Sequence, residues 1–257
     1  MPAHDLALLT QAARAAGEIA LRYWQNTPAV WEKGDQGPVT EADIAVNDML
    51  KSTLRAARPS YGWLSEETPD DGARLQCEHV FIIDPIDGTR AFIAGEPYFA
   101  HSLAVAHRGE VVAAAVYLPA KDLLFTASHD APAMLDGMAI SATATRLQDG
   151  ANILTPKANL LPDFWQGPPP AFQRSFRASL AYRLCLVAEG RHDGMLTFRP
   201  TWEWDIAAGA LIASKAGARV TDRHGQALRF NNATPQTAGV LAANPALHGE
   251  IFGHIKA

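Results

Sequence analysis

With 257 residues the chain can bury a substantial core, as one large domain or two small ones, and its 48% hydrophobic and 19% charged residues exclude a disordered polymer. A formal charge of −5 with no lysine or arginine run excludes a protein that grips a nucleic-acid polymer by neutralising its backbone. The two cysteines, Cys77 and Cys185, lie far apart and suggest neither a disulfide framework nor a thiolate metal site, so a reducing cytoplasm is the expected location.

The opening MPAHDLALLTQAARAAGEIALRYW carries acids and arginines among its apolar residues, so neither a signal peptide nor a membrane-inserted segment is predicted. From Asp5 to about Gln25, Leu6, Leu9, Ala13, Ala16, Ala20 and Tyr23 recur at helical spacing. The loop WEKGDQGP follows, and Thr40 then precedes a second helix with Ile44, Leu50 and Leu54 expected inward, ended by the Arg58-Pro59-Ser60 turn. Val80 to Ile83 reads as a buried strand, and strands at 102–106 and 111–118 flank a hairpin signal at Arg108-Gly109, with 123–127 as a third antiparallel strand. Beyond the polar stretch at 141–150 the pattern becomes strand 152–154, helix 180–189, strand 194–198, helix 205–216 and strand 219–221. The expected organisation is an α+β part over residues 1–145 and an α/β part over 146–257, with QGPPP at 166–170 as a surface loop.

Chemistry concentrates in carboxylates, each with an ordinary structural explanation. Asp84-Pro85-Ile86-Asp87-Gly88-Thr89 comes off the buried strand; a type I turn explains Asp84, Pro85 and Gly88 but not the second acid, Asp87. Two acids that close repel unless a cation sits between them, and hard oxygen donors suit Mg²⁺; a metal site and a decorated turn both remain open. Glu66 and Glu67, before Thr68-Pro69, read by themselves as a solvated loop sooner than as a site. Thr40 and Asp43 have the spacing of a capping box. Asp205 sits in the first turn of an Ala-rich helix, where an acid is favourable with or without a ligand, and Trp202 and Trp204 beside it suit core or rim packing better than a base-stacking platform.

In this order VTEAD, WLSEE, DPIDGT, VAEG and EWDIAAG resemble the inositol monophosphatase superfamily of Mg²⁺-dependent, lithium-sensitive phosphatases over nearly the whole chain. The resemblance implies a layered αβαβα sandwich with two or three Mg²⁺ ions at the junction of its two parts. Glu66, Asp84 and the Ile86 carbonyl would hold a first ion, Asp84, Asp87 and Asp205 a second, and a weaker third would lie near Glu66. Gly88 and Thr89 match the phosphate-binding turn, and Asp43 with Thr89 the pair that orients the attacking water for in-line attack on phosphorus. A small phosphorylated substrate is implied, and dimers are frequent among such proteins.

For the substrate, inositol and histidinol phosphatases of the superfamily usually carry an acid seven residues before the WD aspartate, and here that position is Phe198. Pro200-Thr201-Trp202-Glu203-Trp204-Asp205 and CLVAEG at 185–190 instead resemble bacterial 3′(2′),5′-bisphosphate nucleotidases, which act on adenosine 3′,5′-bisphosphate. Glu203 falls within that match, and Arg183 and Arg199 are candidates for a second phosphate because a guanidinium pairs with phosphate bidentately. DGTRAFIAG is nonetheless close to the histidinol-phosphate phosphatase form. A phosphatase for inositol 1-phosphate or histidinol phosphate is the alternative, and a non-catalytic sensor of a phosphorylated ligand the remote one.

Overall fold

The computed structural model describes residues 2–34 and 37–256. Helix α1 (Pro2–Tyr23) is followed by a hairpin of β1 (Val30–Glu32) and β2 (Pro38–Thr40), then by α2 (Glu41–Ala57). Next come β3 (Gly62–Ser65), β4 (His79–Asp87), the short α3 (Thr89–Ile93), β5 (Ala100–His107), β6 (Glu110–Leu118), β7 (Leu123–Ser128), β8 (Ala131–Leu135) and β9 (Met138–Ala139). The remainder holds β10 (Asn152–Leu154), β11 (Gln173–Ser175), α4 (Leu180–Ala188), β12 (Gly194–Thr197), β13 (Thr201–Trp202), α5 (Glu203–Lys215), β14 (Arg219–Thr221), β15 (Gln236–Thr237), β16 (Val240–Ala243) and α6 (Pro245–Phe252).

Strands β3 to β9 form a seven-stranded sheet in chain order, parallel only at β3–β4, while a second sheet runs β11-β10-β12-β16-β14. Because side chains alternate along a strand, β4 sends Phe81 and Ile83 to one face and Val80 and Ile82 to the other. The first face packs on α1 and α2 through Leu9, Ala13, Ala16, Val46 and Leu50. The second packs on Leu184 of α4 and Ile206 and Ala210 of α5, whose far side meets Leu154, Met195 and Ala242 of the second sheet. That sheet's outer face is closed by Leu247 and Ile251 of α6 with Trp165 and Phe198. Five layers result, αβαβα, as the resemblance implies.

Local chemistry explains several boundaries. Thr40 caps α2, its hydroxyl accepting from the Ala42 N–H while Asp43 accepts from the Thr40 N–H. The Arg108-Gly109 turn takes positive φ at both residues, which suits the right-handed twist of the hairpin it closes. Gly209 lets α4 and α5 approach closely, since a Cβ there would stand 2.7 Å from the Leu184 Cβ.

Two expectations are corrected. Ile44 is 40% exposed; the inward face of α2 is Ala42, Val46, Leu50 and Leu54, one residue on average every turn, joined by Asp43 and Asn47. WEKGDQGP is not wholly loop, because its ends belong to β1 and β2; Asp35 and Gln36 lie outside the described residues.

Candidate active site

The acids converge where the seven-stranded sheet ends against the N-terminus of α5. Asp84 and Asp87 lie in the last turn of β4, where the pairing with β5 shifts register between Asp84–Ser102 and Asp87–Ala100. The shift is held from behind by His101, whose buried ring bonds the Pro85 carbonyl through Nδ1. Gly88 follows at φ 98°, where a Cβ would stand 3.2 Å from the Tyr98 carbonyl, so the chain can turn there into α3. β3, parallel to β4, delivers Glu66 beside them, its N–H donating to the Ile83 carbonyl at 3.2 Å.

Asp87 is the most firmly held, accepting from Ser179 Oγ at 2.7 Å and from the Ala181 N–H at 2.6 Å. Ser179 also caps α4. The second half of the chain thereby aims an acid donated by the first. Ser102 Oγ ties the two again, donating to the Trp204 carbonyl beside Asp205 at 2.9 Å. Asp205 in turn faces Arg199 at 3.9 Å.

Asp43 projects from the first turn of α2, with Oδ2 receiving the Thr40 hydroxyl at 2.6 Å and Oδ1 facing Thr89 Oγ1 at 3.3 Å. The Thr89 hydroxyl also lies 3.1 Å from the Ile86 carbonyl, so its single proton has two acceptors to choose from.

Electrostatics set this cluster apart from a turn, a loop and a helix cap. Burial, then the charges of Glu66, Asp87, Asp205 and Asp43, push the Asp84 carboxyl well above its ordinary value. Asp205 is pushed well up by burial and by Asp87 and Glu66, and Asp87 is raised by burial against the pull of its hydrogen bonds. Burial also lifts Glu66 to about 7 and Asp43 to about 6. Asp84 Oδ1 is buried without a hydrogen-bond partner. An orphaned oxygen of this kind is costly unless a cation meets it, and the all-oxygen donor set of Asp84, Asp87, Asp205, Glu66 and the Ile86 carbonyl is the hard set that Mg²⁺ takes. By the chemistry of its donors this set fits the ion, although no three of these acids bring their oxygens within 4.8 Å of one another. Among the described residues, the one trio of His, Cys, Asp or Glu whose ligand atoms fall within 4.8 Å of one another lies elsewhere, at Glu78, His79 and His107. There Glu78 is bound to Arg108 and the two imidazoles stack nearly parallel, 4.3 Å apart, an arrangement that does not aim both lone pairs at one point.

Two clefts meet at Glu66. One, of about 550 Å³, is lined by Thr89, Arg90, Phe176, Arg183 and Arg199. The other, of about 460 Å³, is lined by Lys33, Glu67, Trp202 and Trp204, the two indoles stacked 4.7 Å apart. Arg183 is 5% exposed; it donates to the carbonyls of Arg177 and Ala178, lies over the Phe176 ring and, among the described residues, has no ion-pair partner. Burial lowers its guanidinium to about 10, so it stays charged.

One candidate is corrected. Glu203 is fully buried and does not line either cleft: its carboxylate accepts from the N–H groups of Asn231 and Asn232 and from the Asn232 side-chain amide. It fastens the 231–232 loop to the start of α5. Two residues that the sequence did not single out belong to the site. Ser179 could have been read as the cap before LAYRLCLVA; Lys33, whose ammonium bonds Glu66 at 3.2 Å and Glu67 at 2.6 Å, stands in a Gly-flanked loop with no pattern to mark it.

The Inositol monophosphatase family model matches residues 2–257. The chain is 34% identical to the Nus factor SuhB of Pseudomonas aeruginosa, with 84% of each covered, and 35% identical to an inositol-1-monophosphatase of Rhizobium meliloti, with 86% of each covered. Among solved structures it matches an extragenic suppressor protein SuhB from Bartonella henselae at TM-score 0.83 and 29% identity, covering 97% of both chains. The Thermotoga maritima IMPase matches at TM-score 0.81 and 26% identity, with 98% of this chain and 96% of that one covered. Sequence, layered fold and carboxylate cluster thus agree: the chain belongs to the inositol monophosphatase family and is a metal-dependent phosphoric monoester hydrolase acting on small phosphorylated substrates.

Proposed function

We propose that this chain is a 3′(2′),5′-bisphosphate nucleotidase, removing the 3′-phosphate of adenosine 3′,5′-bisphosphate with Mg²⁺ held by Glu66, Asp84, Asp87, Asp205 and the Ile86 carbonyl. Bound there, Mg²⁺ would lower the pKa of water and neutralise charge on the phosphoryl and leaving oxygens. The chain's own part is positioning. Thr89 Oγ1, facing Asp43 Oδ1 at 3.3 Å, orients the attacking water and relays its proton to that carboxylate. Gly88 and Thr89 seat the scissile phosphate.

The observation that carries the substrate reading is Arg183: a buried, charged guanidinium without a carboxylate partner, facing a cleft that it shares with Glu66, Thr89 and Arg199. Asp87 and Asp205 act on it only from beyond bonding distance, and a second phosphate supplies a bonded counter-charge. Phe198 supports the same reading, because it packs between Phe164 and Trp165 and offers no acceptor to a polyol hydroxyl. Inositol 1-phosphate is the second reading, favoured by the resemblance to the Rhizobium meliloti inositol-1-monophosphatase. Steady-state phosphate release decides between them: kcat/KM for adenosine 3′,5′-bisphosphate exceeds that for inositol 1-phosphate, and Arg183→Met raises KM for the bisphosphate about tenfold or more while leaving AMP formation chemically unchanged. Equal or reversed preference for inositol 1-phosphate sinks the nucleotidase reading. Among the described residues no helix is long and apolar enough to cross a membrane.

A further inference from the structure

We infer that Phe176 is a specificity-determining residue of the arginine-lined cleft, its open face stacking on the nucleobase of the substrate. The inference rests on the nucleotidase reading and deepens it. Phe176 is the one aromatic ring among the described residues lining the cleft that holds Glu66, Thr89, Arg90, Arg183 and Arg199, and it is 46% exposed. The backbone on either side of it is fixed. Before it, Ser175 ends β11, where its carbonyl accepts from the Thr155 N–H at 2.9 Å and its hydroxyl donates to Asn152 Oδ1 at 2.8 Å. After it, Arg183 donates to the carbonyls of Arg177 at 2.6 Å and Ala178 at 3.2 Å. A planar ring with two side-chain torsions on such a backbone meets a flat partner at small entropic cost.

Electrostatics favour a base on that ring. The Arg183 guanidinium lies over one face, its Cζ 4.3 Å from the ring centre, and draws π-electron density toward itself. The opposite face is left less negative, which suits the π-rich face of a purine. Stacking occupies the face of the guanidinium and not its edge. Of its five N–H donors two are spent on the Arg177 and Ala178 carbonyls, so the edge keeps donors for a phosphate. Ring and guanidinium thus serve two parts of one molecule, a base and a phosphate, with Thr89 in the same cleft to receive the scissile group. A polyol phosphate would leave the ring in water.

Steady-state phosphate release from adenosine and uridine 3′,5′-bisphosphates, in the native protein, Phe176→Leu and Phe176→Trp, tests this. A purine stacks over more area than a pyrimidine, so the native protein favours the adenosine substrate, and Phe176→Leu raises its KM about tenfold with kcat unchanged. The uridine substrate loses less, so the purine preference shrinks, whereas Phe176→Trp keeps it. Inositol 1-phosphate is turned over equally by all three proteins. Equal losses on both nucleotides in Phe176→Leu would mark a displaced Arg183 and overturn the inference. A purine preference that survives Phe176→Leu undiminished also overturns it, and gel filtration of that variant then shows whether the ring is instead covered by a second copy of the chain. Native preference for inositol 1-phosphate over both nucleotides overturns the nucleotidase reading and the inference together.

Discussion

At the scale of single residues, the site is distinguished less by which side chains it contains than by what surrounds them. Burial raises Asp43 from 3.8 to about 6 and Glu66 from 4.5 to about 7, and pushes Asp84 and Asp205 well above their ordinary value. An acid whose pKa rises on folding favours the folded state while protonated. That contribution is intact below the unfolded value near 4 and is lost as pH climbs through the folded values near 6 and 7. The metal-free protein therefore loses thermal stability from about pH 4 to 7 at these groups. Mg²⁺ restores it, so the Mg²⁺-induced rise in Tm is several degrees larger at pH 8 than at pH 5, as calorimetry at the two pH values checks. Glu203 makes the opposite case. With both oxygens occupied by the 231–232 loop, Glu203→Gln costs about 1–3 kcal/mol in denaturant unfolding and leaves KM unchanged. The motifs made the acids legible in the sequence, but not their partners: nothing in EWD says that the Glu faces a loop 28 residues on, because that pairing is set by the tertiary path of the chain.

Elements supply the precision. Asp87 leaves β4, yet Ser179 and the Ala181 N–H at the start of α4 aim it, while Asp205 comes from the first turn of α5. The α4–α5 crossing consequently sets the distance between acids contributed by different parts of the chain. Gly209 faces α4 with no room for a Cβ, and Gly209→Ala, whose Cβ would press on Leu184, destabilises the fold by about 1–3 kcal/mol and lowers kcat by displacing Asp205. A stability loss with kcat intact would show that the crossing does not set the site. Long periodic segments such as α1 and the β5–β6 hairpin were readable from the chain alone. β8, β9, β11, β13 and β15 were not, being short edge or bridging strands whose pairing comes from neighbours and not from their own pattern. β3 was obscured for the same reason: GWLS is four residues, buried on both faces, so it shows no alternation, and Glu66 after it read as loop.

The whole molecule explains how an acidic chain handles a phosphate ester. The layers bring two clefts to one carboxylate cluster, an arginine-lined one that suits an anionic substrate and one walled by Trp202, Trp204 and Lys33. Overall architecture was legible because the motifs span the entire chain in order; the arrangement of cations around the acids was not, since Arg183 and Lys33 act through burial and position. On this reading Asp84 is retained for a cation and against the stability of the metal-free fold. Its orphaned, buried oxygen makes Asp84→Asn the most direct test, measured as Tm without metal at pH 8 alongside phosphate release with Mg²⁺. A higher metal-free Tm is expected together with a fall in turnover of at least about 100-fold. Native turnover in Asp84→Asn would contradict it.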